Sequence, residues 1–189
     1  TLGNSELEPE SANNSEFGFK YNSEKIIFKT AIFSRKSKNI IDYVKNNQDD
    51  LWQATNIGSL KTNGLESDIL IKISNNLRFN FGYAFINDDT YVSNIKFSRY
   101  SLNSLKHNFI SKISFKYSKK LSQNIVFRYA ERSDQTNYRI VDSNISYKPF
   151  SKNAEFFLNL NNIFDHYYWE TNLVPMPGKN FIIGYRSSF

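Results

Sequence analysis

"LESDILIKISNNLRFNFGYAF" (Leu65–Phe85) alternates by twos on both sides of a central polar turn. Before the turn, Leu65, Ser67, Ile69, Ile71 and Ile73 alternate with Glu66, Asp68, Leu70 and Lys72. After it, Leu77, Phe79, Phe81, Tyr83 and Phe85 alternate with Arg78, Asn80, Gly82 and Ala84. A period of two belongs to a β-strand, whose successive side chains point to opposite faces. Asn75-Asn76 supplies a tight turn, since Asn tolerates positive φ. The stretch predicts a hairpin with one aromatic and aliphatic face and one polar, charged face. Faces of such different chemistry imply two different solvents.

The same period recurs outward from this hairpin. Phe17, Phe19 and Tyr21 share a face upstream, as do Ile26, Phe28, Thr30 and Ile32. Trp52 to Ser74 reads as one long extended run, with Gly64 predicting a bulge or bend. Downstream, Phe109, Ile113, Phe115 and Tyr117 oppose Asn108, Ile110, Lys112 and Lys116. Ile125, Phe127 and Tyr129 face away from Asn124, Val126 and Arg128. Val141, Ser143, Ile145 and Tyr147 alternate with Asp142, Asn144, Ser146 and Lys148. Two further runs, from Phe156 and from Phe181, complete about nine strands of roughly ten residues, the length of a tilted membrane strand.

Composition agrees. The 189 residues include 17 Phe and 12 Tyr but one Met, four Pro and seven Gly, which favours an all-β chain. With no Cys, disulfide and thiolate chemistry are excluded. The net charge of +6 comes from Lys and Arg spread along the chain rather than clustered, so nucleic acid is not an expected partner. No window approaches the ~20 apolar residues of a membrane helix, but a membrane strand carries a far weaker signal. The chain begins at Thr1 with no apolar signal core, as a mature chain or a fragment would.

Turn lengths alternate. Asn75-Asn76, "SKKLS" and "KPFSK" are short, whereas the loops near 37–50, 87–104, 131–137 and 165–180 are longer. Transmembrane barrels have short turns on the periplasmic rim and long loops outside. The expected fold is therefore an antiparallel transmembrane β-barrel segment, with lipid on the apolar face and a polar lumen on the other. The alternation assigns Glu66, Asp68, Lys72, Arg78, Asn80, Lys112, Arg128, Asp142, Asn144, Lys148 and Arg186 to the lumen. Candidate external ligand contacts are Asp49, Asp50, Asp88, Asp89 and Trp169, with loop-bound calcium considered for the two Asp pairs. Tyr167 and Tyr168 suit an aromatic girdle at the membrane interface. Glu66 and Asp68 lie about 7 Å apart on one face, but no other feature supports acid–base catalysis. His107 and His166 have no ligand set in short spacing, and no catalytic motif appears. No catalytic residue and no cofactor is expected.

The final strand, "GKNFIIGYRSSF", places Phe181, Ile183, Tyr185 and Phe189 on one face, with Ser187 as a departure. This resembles the C-terminal signal by which bacterial outer-membrane barrels are recognised for insertion. "WQATNIGSLKTNGLESD", "NLNNIFDHYYWE" and "MPGKNFIIGYRSSF" together resemble strands of TonB-dependent outer-membrane receptors, with Lys179 where Arg is more usual. Vitamin B12 receptors look the most similar subfamily. The resemblance implies that residues 1–189 are the C-terminal portion of a barrel of about 22 strands, without its plug domain. It implies uptake of a scarce nutrient, vitamin B12 or an iron–siderophore chelate. The implied partners are outer-membrane lipid, the remaining barrel strands and plug, the TonB energy complex, the barrel-assembly machinery and the small-molecule ligand. About nine strands cannot close alone, since open edges in lipid leave backbone groups unpaired. Two alternatives stand beside this: a passive or structural outer-membrane barrel subunit, and a secreted β-sandwich binding module.

Overall fold

The computed structural model describes residues 1–91, 96–99, 104–149, 154–171 and 174–187. Its regular elements are all strands: β1 (Ser11–Asn22), β2 (Ile26–Lys38), β3 (Ile41–Lys45), β4 (Gln53–Asn56), β5 (Ser59–Lys72), β6 (Leu77–Tyr91) and β7 (Phe97–Ser98). They continue with β8 (Leu105–Lys116), β9 (Leu121–Arg132), β10 (Asn137–Tyr147), β11 (Ala154–Asn161), β12 (Trp169–Thr171), β13 (Val174–Pro175) and β14 (Asn180–Ser187). Nine form one antiparallel sheet in the order β1-β2-β5-β6-β8-β9-β10-β11-β14. Each long strand thus pairs with the next long strand in sequence, the arrangement that local alternation and short turns favour. Two small sheets, β4-β3-β7 and β12-β13, are built from the long connections.

The register fixes the faces. Phe79, Phe81, Phe85, Phe109, Ile113, Phe127, Ile145, Leu158 and Ile183 share one face across five strand pairings. Phe109 packs edge-on against Phe81 at 4.7 Å and against Phe127 at 5.7 Å between ring centroids. This face is nevertheless uncovered: Phe17 is 75% and Ile183 73% exposed. Among the described residues the strand backbones approach one another only as hydrogen-bonded neighbours, so no second sheet packs across either face. That rules out the sandwich alternative, whose sheets pack face to face. A wide aromatic face open on a single sheet is suited to lipid rather than water.

Four local expectations are corrected. Gly64 makes no bulge: it pairs in unbroken register with Phe33 on β2 and Ile86 on β6. A β-carbon built on it would lie 2.3 Å from Phe33 Cζ and 2.8 Å from the Phe85 carbonyl oxygen, so the glycine makes room for a ring. Neither Asn75 nor Asn76 takes positive φ; among the described residues that conformation falls on Asn39, Gly58, Gln135, Asn162 and Asp165. Their turn is closed instead by Ile73 N–H donating to Leu77 O at 3.0 Å, with Asn76 N–H donating to Ser74 Oγ at 3.2 Å. The β9–β10 connection spans only 133–136, so residues 131–132 belong to strand rather than loop. The extended run from Trp52 is divided at Gly58, whose φ is 104°.

The covering of Gly64 by Phe33 generates a test. Gly64→Val is expected to displace the ring and cost about 1–3 kcal/mol, as overpacking does. Gly82→Val is the control, because its nearest atom, Asp68 Oδ2, lies 3.7 Å from the added carbon. The temperature at which each variant loses its compact electrophoretic mobility in detergent measures the difference.

Candidate functional site

Paired residues of an antiparallel sheet lie on the same face, and the register gathers the polar residues into rows across it. Glu66 pairs with Ala84, and Asp68 with Gly82, which continues through Ile110 to Arg128 and Ile140. Asn80 leads through Lys112 and Val126 to Asp142. Lys72 leads through Arg78, Ser114, Asn124 and Asn144 to Asn159. Arg186 pairs with Glu155 in the last hairpin. Lys148, just past β10, reaches Glu155 Oε2 at 3.9 Å. The residues expected on the lumen side therefore occupy one face of the sheet or its rim. The register shift between Leu105 and His107 lies beyond them and inverts none.

Three regions of this face differ chemically. Near β1, β2, β5 and β6 an open hollow of about 540 Å³ is lined by Glu16, Lys20, Lys29, Glu66 and Asp68 over a floor of Gly18, Ala31, Gly82 and Ala84. Small floor residues leave room, and the hollow combines these charged walls with Phe19, Tyr83 and Ile110, so it offers both polar and apolar contacts. Toward β11 the charges give way to a neutral ladder. Ser114 Oγ donates to Asn124 Oδ1 at 2.7 Å, Asn124 Nδ2 to Asn144 Oδ1 at 3.5 Å, and Asn144 Nδ2 to Asn159 Oδ1 at 2.5 Å. Amides suit this because each offers both donors and an acceptor.

The third region joins the wall to the last long loop. Arg128 on β9 holds Asp142 Oδ2 on β10 at 3.0 Å and Glu170 Oε1 on β12 at 3.0 Å. Arg132 donates to the Glu170 carbonyl oxygen. Asp142 Oδ1 accepts the Asn162 backbone N–H at 2.8 Å. Asn162, at φ 48° and 2% exposed, accepts the His166 N–H on its Oδ1 at 2.9 Å. Its amide also donates to the carbonyls of His166 and Pro177, while Asp165 Oδ1 accepts the Lys179 N–H at 2.7 Å. Loop 162–179 is thus anchored at both ends. Sequence reasoning placed Arg128 and Asp142 on this face but missed Asn162, Glu170 and Glu155. The available signal was Asn before a short apolar run ending in Asp, a pattern for left-handed backbone.

The external candidates fare differently. Asp88 and Asp89 do not lie in a loop: both belong to β6, opposite Thr62 and Lys61. Their strand alternation sends them to opposite faces, so they cannot act as an adjacent pair. Asp50 Oδ2 accepts the Asn47 backbone N–H at 2.8 Å and its side-chain amide at 3.1 Å, which makes it a turn residue, with Asp49 exposed beside it. Among the described residues no three His, Asp or Glu side chains gather as a metal site, and the calcium expectation finds no cluster there. Trp169 stacks edge-on against Tyr167 at 4.7 Å in the long loop and stays 43% exposed. Tyr168 leaves the expected girdle: it is 6% exposed and packs 4.7 Å from Tyr138, beside the Arg128 network. His107 sits on the aromatic face, where Nδ1 and the Tyr83 hydroxyl lie 2.9 Å apart. Phe181, Ile183 and Tyr185 share the aromatic face of β14, and Phe189 lies outside the described residues.

Residues 1–163 match the family described as TonB dependent receptor-like, beta-barrel. No curated protein matches by sequence. Among solved structures, the copper transporter OprC superposes with a TM-score of 0.80 at 15% identity, over 97% of this chain and 32% of that one. The FrpB iron transporter from Neisseria meningitidis gives 0.75 at 18% identity, over 97% and 31%. The siderophore receptor PirA from Pseudomonas aeruginosa gives 0.73 at 20% identity, over 100% and 31%. At such identities the likeness is one of fold. The chain spans about a third of the length of these structures.

Removing the Arg128 guanidinium tests the tie between wall and loop. Arg128→Ala leaves Asp142 and Glu170 without their shared partner. Both ion pairs are partly exposed, so the global cost is expected near 1 kcal/mol. The local effect is larger: amide hydrogen exchange in 162–171 should accelerate at least tenfold, while exchange in β5 and β6 stays unchanged.

Proposed function

The chain belongs to the TonB-dependent receptor-like β-barrel family of the bacterial outer membrane, and we propose that it forms the wall and several external loops of a receptor for active uptake of a scarce nutrient. The observation that carries this reading is the single sheet with an uncovered aromatic face and a polar, hydrogen-bonded opposite face. Lipid meets the aromatic side, and the polar side, with Glu66, Asp68, Lys72, Arg78, Asn80, Lys112, Arg128, Asp142, Asn144, Lys148 and Arg186, lines the lumen. β1 and β14 each have one unpaired edge, which the remaining barrel strands would satisfy. A plug domain would rest against the lumen face and couple to the TonB energy complex. The barrel-assembly machinery would engage β14 through Phe181, Ile183, Tyr185 and Phe189.

We favour a metal complex as the cargo. The similar structures are described as copper, iron and siderophore transporters or receptors. Vitamin B12, suggested by the sequence resemblance, is the rival. Trp169 and Tyr167 in loop 162–179 offer rings to a planar or aromatic chelate, and Asp49 offers a carboxylate at the same end of the sheet.

Uptake in cells lacking the gene decides among these. Radiolabelled ferric-siderophore uptake should fall to background and return with the wild-type gene. Loss of labelled vitamin B12 uptake instead would replace the cargo, and uptake that survives collapse of the proton gradient would make the barrel passive. The two faces are tested separately by charge insertion. Phe81→Arg is expected to destabilise by about 2–4 kcal/mol, the cost of a cation on a lipid face near the bilayer midplane. Asn80→Arg, one residue away, should be tolerated, as detergent unfolding curves would show.

A further inference from the structure

The short-turn end of the sheet carries a charge pattern that transport of a cargo does not use. Three turn carbonyls there each accept a backbone N–H from the next strand along. Lys25 O accepts from Lys72 at 2.7 Å, Asn76 O from Lys116 at 2.8 Å, and Lys120 O from Lys148 at 2.8 Å. These bonds stitch each turn to its neighbour and fix the backbone of a row of lysines along the rim.

Two adjoining hollows of about 460 and 250 Å³ open at this rim. Both are lined by Asn75, Asn76, Lys116 and Ser122; the first adds Lys119, Lys120 and Lys148, and the second adds Arg78 and Asn124. Together they form one groove. Among the described residues no carboxylate lines it. The neighbouring carboxylate, Glu155, is already shared between Lys148 at 3.9 Å, Arg186 at 3.5 Å and the Ser146 hydroxyl. Lys72 and Arg78 stand directly opposite each other across β5 and β6. Like charges so placed are destabilising, and an anion bound beside them would relieve the repulsion.

We infer that this groove docks an acidic peptide segment of a partner protein, laid as an extended run of carboxylates along the rim. The sign of the charge selects an anion; Phe115 and Leu121 of the aromatic face also line the hollows, but the strand cations Arg78 and Lys116 stand on the polar face, which favours a peptide over a lipid. Arg78, Lys116, Ser122 and Asn124 are on the polar face, opposite Phe79, Phe115 and Gln123. A lipid headgroup whose chains cover the aromatic face would meet the other side of the rim. The span also fits. From β6 to β10 is three strand spacings, about 14 Å, which an extended peptide covers in about four residues. Lysine ammonium groups impose no fixed fork geometry, so they accept a run of carboxylates without demanding one sequence. The assignment of this rim to the periplasmic side rests on the outer-membrane reading above; the binding itself does not depend on the cargo.

The test uses the native receptor purified in mild detergent and a fluorescein-labelled hexaglutamate peptide, read by anisotropy. Saturable binding is expected, weakening as salt is raised, with none for hexaglutamine. Combining Lys116→Gln, Lys119→Gln, Lys120→Gln and Lys148→Gln should weaken binding at least tenfold. Combining Lys36→Gln, Lys38→Gln, Lys61→Gln and Lys179→Gln at the opposite end should leave it within twofold. The turn variants Lys119→Gln and Lys120→Gln, made singly, keep the comparison usable if the quadruple variant misfolds. Equal loss in both quadruple sets, or no loss in the first, overturns the inference. So does binding of phosphatidylglycerol vesicles through these lysines while hexaglutamate fails, which would make the rim a lipid contact. Uptake failing while hexaglutamate binding persists would sink the transport reading alone.

Discussion

The backbone hydrogen bond governs this chain more than any side chain does. In hydrocarbon an unpaired N–H or C=O costs several kcal/mol, so a chain that crosses a bilayer as strands must pair every one of them with a neighbour. The nine-stranded meander does this with minimal topology, each long strand beside the next in sequence. Among the described residues, the long sheet leaves unpaired outer edges at β1 and β14. β1 is exposed along all of its length. Those edges are the physical reason to assign further strands to the same wall.

Once the backbone is satisfied by neighbours alone, the side chains need no second layer, and among the described residues no sheet packs across either face. Aromatic rings pack sideways along one face, as Phe81, Phe109 and Phe127 do. Close packing reappears on the polar face at cross-strand glycines. Phe33 lies over Gly64 and Phe157 over Gly184, where an added β-carbon would fall 2.3 and 2.2 Å from the rings. A ring placed over a glycine fills the space that a side chain there would need.

Much of this was legible in the residues because the decisive signal has a period of two. Strand alternation from Leu65 to Phe85 predicted the hairpin and the face of every charged residue in it, and the pairing register assembles those residues as alternation implied. What stayed hidden depends on contacts distant in sequence or on short backbone excursions. Gly64 read as a bulge because a glycine in a strand has two uses, and only the position of Phe33, far away in sequence, separates them. Asp88 and Asp89 read as loop residues because a polar run looks the same in a loop and at a strand end. Tyr168 read as girdle because its burial depends on Tyr138 and on a loop folded back by Asn162. None of these can be recovered from periodicity.

The polar face is not chemically uniform, and its variation follows the connections. At the long-loop end, charge is neutralised locally: Arg128 meets Asp142 and Glu170, and the carboxylate of Asp142 also holds the Asn162 backbone. Just above the short turns, between β8 and β11, an amide and hydroxyl ladder replaces charge. At the short-turn end, cations line the groove without carboxylates among the described residues. An anchored loop needs its charges matched so that it settles in one place. A rim where cations outnumber carboxylates, with only Lys148 among the described lining residues reaching Glu155, does not serve that purpose. Its turns are tied to the neighbouring strands by backbone hydrogen bonds at Lys25, Asn76 and Lys120, which restrain the backbone beneath the lysines. Charge held in place by rigid turns is the arrangement expected of a surface preorganised for an anionic partner.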